Sequence, residues 1–250
     1  MRFTYIMNQY SAYLYSHDGQ DYANDKWDYG LLKEIFDKHE VDQLRVTEIP
    51  KGDKAFVVIP GPQTAGNEDK LSNELNKLSR VVLFINGDEN ARFDVSKIKH
   101  SNIEIWIQYP HEKHDQYNKM PIGVPQHLKD NVPEYKEKEY DVYFGGQITH
   151  SRRKELALVM PILKNSLYGP TKGFSLGDKP KDYYAKLSSA KIAPCPSGAA
   201  VIDTFRFFES IEMLALPVGD LVDSKGEMID YFNYVYPAGI PIEIFICVDT

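Results

Sequence analysis

Residues 191–220 read KIAPCPSGAAVIDTFRFFESIEMLALPVGD, and the order of residue types in this stretch decides the fold. A short apolar strand at 191–194 runs into a loop broken by proline and glycine at 195–200. Asp203 or Thr204 then offers an oxygen to cap a helix over 204–214, after which the chain turns at Leu216-Pro217-Val218. Strand, small-residue loop and helix N-terminus make a standing anion site, where free backbone N–H groups and the positive end of the helix dipole converge. Arg206 adds a fixed cation beside it, from the first turn of the helix. Glu209 lies three residues on, on the same helical face, where a carboxylate can accept hydrogen bonds from hydroxyls. A diphosphate beside a sugar fits that arrangement.

Outward from this stretch the same alternation repeats. Upstream, 140–144 reads as a strand, 151–160 as a helix, 166–168 as a strand and 181–188 as a helix, with 191–193 and 204–214 completing the series. In the first half, β-branched runs at 3–7, 44–49, 55–59, 81–85 and 103–108 predict strands. The segments 26–39 and 67–78 carry apolar residues at helical spacing, as in Leu71, Leu75 and Leu78. Strand–helix alternation predicts an α/β fold with parallel, doubly wound sheets. Between the halves, 109–139 changes character: Pro110, Pro121, Pro125 and Pro133 and a high charge density predict a surface connection. The expected organisation is therefore two Rossmann-like domains, 1–125 and 139–250, joined by 126–138 and facing a central cleft. In such sheets ligands sit outside the carboxyl ends of the strands, which puts 145–150 and 195–200 on one cleft edge.

The composition is that of an ordinary globular chain. With 250 residues, 42% of them hydrophobic and 26% charged, it can bury a substantial core. No run of about 18 apolar residues is present, so no membrane span is expected. The start, MRFTYIMNQY, is too short and polar for a signal peptide and reads as a first strand. The cysteines Cys195 and Cys247 are too few for a disulfide framework, which favours a reducing, cytoplasmic setting. A net charge of −7 argues against broad electrostatic binding to nucleic acid, although a local basic cleft remains compatible with it.

Several further positions are candidates for chemistry. Gly145-Gly146 follows a strand, where glycine lets backbone approach a ligand and frees N–H groups for phosphate; a tight turn is the plainer account. Arg152 and Arg153 open the next helix, and either can reach a pyrophosphate. Asp88-Glu89 follows the apolar run VVLFING and so stands at a strand's carboxyl end, where a base for an acceptor hydroxyl is needed; a Gly-Asp turn is the alternative. His111-Glu112-Lys113-His114 matches no zinc spacing, so no metal site is assigned. No histidine lies near Cys195 in sequence, which reads as a small buried residue. Phe205, Phe207 and Phe208 read as core rather than as a stacking platform. The chain lacks an Asp-x-Asp triplet, so no metal cofactor is expected and a leaving diphosphate would rely on arginine and helix dipoles.

The 191–220 stretch resembles the donor-binding segment of exostosin-like glycosyltransferases: a strand, Cys-Pro-x-Gly, Thr/Ser-Phe-Arg-aromatic-aromatic-Glu, and a Leu-Pro-Val strand. The matching residues are Cys195, Pro196, Gly198, Thr204, Phe205, Arg206, Phe207, Phe208, Glu209, Pro217 and Val218. YDVYFGGQITHSRRKEL at 140–156 and DYYAKLSSAKIAPCP at 182–196 resemble that family's upstream elements, and the similarity covers roughly 140–220. It implies a two-domain, GT-B type enzyme that moves a sugar from a nucleotide-diphosphate donor to an acceptor hydroxyl. Gly145, Gly146, Arg152, Arg153, Ser197, Gly198, Thr204, Arg206 and Glu209 would then hold the donor, with Glu209 on the ribose, and Asp88 or Glu89 would act as base. The acidic residue that the wider superfamily often carries eight positions before Glu209 is replaced by Val201. The acceptor could be a glycan, a lipid-linked sugar or a hydroxymethylated DNA base. The other reading is a nucleotide- or sugar-binding module without catalysis. The family usually ends on a helix that returns to the first domain, whereas PIEIFICVDT at 241–250 is an apolar, strand-like run, as expected of a compact variant or a fragment.

Overall fold

A computed structural model of the chain describes residues 10–20, 28–109, 111–135, 137–173, 176–198 and 204–219. The strand expected at 3–7, the cap at Asp203, Cys247 and the terminal run at 241–250 lie outside these residues.

In chain order the elements are β1 (Ser11–Tyr15), α1 (Gly30–Lys38), β2 (Gln43–Val46), β3 (Gly52–Pro60), the short α2 (Gly61–Thr64), α3 (Glu68–Leu75), β4 (Leu78–Asn86), β5 (Ile103–Gln108), β6 (Asn118–Met120), β7 (Tyr140–Gln147), α4 (Ser151–Val159), β8 (Ser166–Thr171), α5 (Pro180–Ser188), β9 (Ala190–Pro194), α6 (Phe205–Glu212) and β10 (Leu216–Val218). They build two sheets: six strands in the order β2-β1-β3-β4-β5-β6 and four in the order β10-β9-β7-β8. Every strand pair among them is parallel. The expected α/β class with two parallel sheets is what the chain adopts, and both strand orders are compatible with Rossmann-like units.

The first sheet is buried on both faces. Tyr13, Tyr15, Val57, Val81 and Leu83 pack on one side with Leu71 and Leu75 of α3. Ala12, Leu14, Phe56, Val58 and Val82 pack on the other with Leu32 and Phe36 of α1. Alternate residues of each strand thus serve opposite faces, which is why the strands read as continuous apolar runs. The i,i+4 pairs Leu32/Phe36 and Leu71/Leu75 are the buried stripes that fix the helices, each fully buried side chain contributing roughly 1.5–3 kcal/mol. The strands β3 and β4 form the long central pair, in register from Gly52↔Leu78 to Pro60↔Asn86.

Two expectations need correction here. Leu78 belongs to β4, not to a helix over 67–78: the helix ends at Leu75, and the side-chain amide of Asn76 bonds the carbonyls of Ser72 and Lys99. Strand β1 lies between β2 and β3, at residues given no element from the sequence. The connecting segment, expected at the surface, is exposed or half-buried over most of its described residues and is anchored at Leu128. A 3₁₀ helix at Gln126–Asn131 buries Leu128 in the second unit's core, while Lys129 pairs with Glu34 of α1 at 3.1 Å. Gly30 is required by this approach, because a Cβ there would stand 2.2 Å from the Val124 carbonyl oxygen.

The second unit has one core cluster among the described residues, built from Tyr143, Tyr184, Leu187, Ala193, Cys195, Met213 and their neighbours. Helix α4 buries none of its residues, and Leu158 is 73% exposed. Among the described residues no helix is long and apolar enough to cross a membrane.

Candidate functional site

The second sheet's strand order places β7 beside β9, with β8 on the outer flank of one and β10 on that of the other. The chain therefore reverses its winding between β7 and β9, and the loops leaving these two strands border the crevice where such sheets bind ligands. The loop after β7 leads to His150, and the loop after β9 carries Ser197 and Gly198. They are stitched together: a ring nitrogen of His150 (Nε2) lies 2.8 Å from the Ser197 carbonyl oxygen, which makes it the N–H donor. Arg153 donates to the carbonyls of Gln147 at 3.2 Å and Ser197 at 3.4 Å. Of the two arginines opening α4, Arg153 is thus the one that spans both loops, while Arg152 sits half-buried beside it.

Gly145 and Gly146 do not follow the strand as expected; they lie within β7, in register with Gly169 and Pro170 of β8. Their role is to leave room. A Cβ on Gly146 would stand 2.1 Å from the Arg206 Nη2, and one on Gly145 would stand 2.3 Å from the Tyr143 hydroxyl. Arg206, from the first turn of α6, fills that space. Its Nη2 donates to the Gly145 carbonyl, and its guanidinium lies 4.7 Å above the centre of the Phe144 ring. The buried Nε and Nη1 of Arg206 have no hydrogen-bond partner in the protein. Burial works against the charge of Arg206, but Tyr183, Cys195 and Glu209 outweigh it and hold its pKa above the ordinary value.

Glu209 is placed differently from the expectation. It is 4% exposed, and its carboxylate accepts from Tyr184 at 2.8 Å and Tyr183 at 3.0 Å. Burial raises its pKa, against the lowering effects of Tyr184, Arg206 and Tyr183. Two tyrosines of α5 thus occupy the carboxylate that the sequence offers to ribose hydroxyls. The Tyr184 oxygen also lies 3.2 Å from His127 Nε2, which ties the group to the connecting segment. Thr204 holds the N-cap position in extended backbone, yet its side chain makes no capping hydrogen bond. Cys195 is buried, its thiol 3.2 Å from the Ala193 carbonyl and its pKa pushed up by burial, as suits an inert packing residue. Phe207 packs against the core.

In the first unit, Asp88 and Glu89 part company. Asp88 is 3% exposed and its two oxygens accept from the backbone N–H groups of Arg92 at 2.9 Å and Phe93 at 2.8 Å, so it shapes the loop after β4. Glu89 keeps its surface open to solvent, although crowding by surrounding atoms raises its pKa; the charge of Arg153, from the second unit, opposes that rise. His111 contacts the same loop, its Nε2 2.7 Å from the Glu89 carbonyl oxygen. His114 is buried, and burial with the Lys113 and His111 charges lowers its pKa to about 4, against Asp88 and Asp115. No group of three or more potential metal ligands occurs among the described residues.

Compared with the profiles of known protein families and with curated protein sequences, the chain matches none.

Proposed function

We propose that the protein is a glycosyltransferase of the two-domain type, moving a sugar from a nucleotide-diphosphate donor to an acceptor hydroxyl across a cleft between its two units. The observation that carries this reading is Arg206: a buried cation at the winding reversal of a parallel sheet, with Nε and Nη1 unpaired. An unpaired buried donor costs free energy that an anionic oxygen would relieve, and a doubly bonded arginine–phosphate contact suits this fork. The N-terminus of α6 and Arg153 add positive potential on the same edge. Glu209 and its two tyrosines then act as a buttress for Arg206 rather than as a ribose ligand.

Glu89 is the better base of the two acidic candidates, because both oxygens of Asp88 are engaged by backbone. A carboxylate whose pKa is raised is a stronger proton acceptor, and Arg153 links it electrostatically to the donor loops. In the reaction Glu89 takes the acceptor's hydroxyl proton, the acceptor oxygen bonds to the anomeric carbon, and the sugar–diphosphate bond breaks. The electron pair leaves on the diphosphate, opposite Arg206. Transfer is expected to survive excess chelator, since arginine takes the role a divalent ion would have; loss of activity with EDTA and recovery with Mn²⁺ would oppose the reading. A calorimetric titration with UDP, ADP, GDP and CDP tests the donor half directly. Saturable binding of at least one, weakened about 10- to 150-fold in Arg206→Met, is the expected result, and no binding by any of them defeats the proposal. The binding-module reading draws support from the structural role of Asp88 and predicts the same titration with no transfer.

A further inference from the structure

The first sheet has its own winding reversal, between β1 and β3, and a cavity of about 600 Å³ opens there at the carboxyl ends of β1 to β4. None of the residues assigned above lines it. Its size falls within the roughly 300–1,000 Å³ range of small-molecule sites, and its position is where open α/β sheets bind ligands.

The lining chemistry is selective. Uncharged hydroxyl and amide groups predominate: Tyr15, Ser16, Gln20, Thr47, Gln63 and Asn86. Each such group can donate, accept or both, as can each hydroxyl of a polyol. Two charged residues border the cavity, Arg45 and Asp28, and their opposite signs leave no net attraction for an anion. Leu14 and Val58 add an apolar strip on which the C–H face of a pyranose can lie. Two of the lining polar groups are themselves incomplete. Tyr15 is 1% exposed and Asn86 5%, yet the Tyr15 hydroxyl and the Asn86 side-chain oxygen have no hydrogen-bond partner in the protein. Buried polar atoms in that condition are uncommon in folded proteins, and each calls for an account such as strain, an ordered water or a bound species.

We propose that this cavity binds an uncharged, polyhydroxylated ligand, the end of a saccharide. The inference goes beyond transfer chemistry, because a saccharide site here stands whether or not the second sheet holds a nucleotide sugar. If both hold, it identifies the acceptor as a glycan. Gly87 lines the cavity, and Glu89, assigned as base, follows it by two residues in the loop after β4.

Calorimetric and NMR titrations of the intact chain with methyl hexopyranosides, maltose, cellobiose and lactose test it, with inorganic phosphate and UDP as separate arms. At least one saccharide is expected to bind and to perturb the resonances of Thr47 and Gln63. Thr47→Trp, an exposed site whose larger side chain blocks the mouth, should weaken that binding at least about 10-fold while leaving UDP binding unchanged. Tyr15→Phe should weaken it about 2- to 10-fold by removing one hydroxyl. Gln63→Ala, on the surface, provides a variant whose folding is not at issue. Absence of saccharide binding up to about 50 mM, a concentration that would saturate even a millimolar site, overturns the proposal. So does saccharide binding indifferent to Thr47→Trp, or phosphate or UDP binding that this variant abolishes, which would make the cavity an anion site. Weakened UDP binding in Arg206→Met with saccharide binding intact keeps the two readings separate.

Discussion

The two sheets are wound alike and furnished differently. Each carries its first strand between its second and third, as β2-β1-β3 in one and β8-β7-β9 in the other. At the first reversal the sheet leaves an open cavity lined by uncharged polar groups. At the second, two glycines in β7 give way to a buried guanidinium stacked on Phe144. The same topology thus presents neutral hydrogen-bonding groups in one unit and a fixed positive charge in the other. Topology places a crevice; side-chain volume and charge decide what it holds. Under the proposed readings, the second takes a donor with a diphosphate and the first an uncharged sugar.

The largest effect that would sharpen this division is catalytic. Glu89→Gln preserves size and hydrogen bonding but removes basicity, so turnover should fall by about 10²–10⁴ at saturating donor, with nucleotide affinity nearly unchanged. Asp88→Asn, by contrast, should act on the loop after β4, lowering melting temperature through its contacts to Arg92 and Phe93. If Asp88→Asn eliminates turnover in a folded protein and Glu89→Gln does not, the roles are reversed.

Next in size is Arg206→Met. The thioether side chain keeps much of the volume over Phe144 and removes the charge, and a charge-assisted contact is worth about 1.5–3 kcal/mol, so nucleotide-diphosphate affinity should drop about 10- to 150-fold. Saccharide binding in the first unit should not change. Equal losses at both places would show that the two crevices are one site.

How much of this was legible in the sequence depends on how local the cause was. The strands at 55–59, 81–85 and 103–108 and the helix at 151–160 announced themselves, because burial on both faces or turn residues at the ends leave a local trace. β1 did not: SAYLY mixes small and aromatic residues and contains no β-branched one. The helix at 67–78 ran too long because Leu78, the first residue of β4, falls in phase with Leu71 and Leu75. Arg206 was legible from its place after a strand and loop. The fate of Glu209 was not, since its spacing from Arg206 gives a shared face but not the two tyrosines that α5 brings against it. Asp88 and Glu89 are adjacent in sequence, and only the fold of the following turn separates a backbone ligand from an open carboxylate. The first unit's cavity had no signature at all, because it draws residues from four strand ends and from segments far apart in the chain.

A smaller effect tests the buttress on Arg206. Tyr184→Phe keeps the ring and removes a hydroxyl that bonds Glu209 at 2.8 Å, leaving one oxygen of a buried carboxylate without that donor. The cost should be about 1–3 kcal/mol in stability by chemical denaturation. Nucleotide affinity should weaken only as far as Arg206 shifts. A loss of affinity as large as that of Arg206→Met, with stability unchanged, would return Glu209 and its tyrosines to direct ligand contact.

The subtlest difference between the units is in pH. His114 of the first unit has its pKa lowered from 6.5 to about 4, so between those values the unfolded chain binds a proton that the folded one refuses. Its contribution makes stability fall as pH drops from about 6.5 towards 4. Glu209 of the second unit is shifted upward from its ordinary 4.5, so the folded form holds its proton longer. Its contribution is fully present below that value and is lost as pH rises through the raised pKa. The two groups therefore pull stability in opposite directions across mildly acidic pH. In His114→Gln the acid-side fall should flatten, and in Glu209→Gln, which keeps the tyrosine contacts without the charge, the loss on the alkaline side should diminish. Melting curves at stepped pH, followed through probes in each unit, read both slopes. If both variants shift the same slope, the buried groups titrate as one set, and the two units do not separate electrostatically as their crevices do in shape.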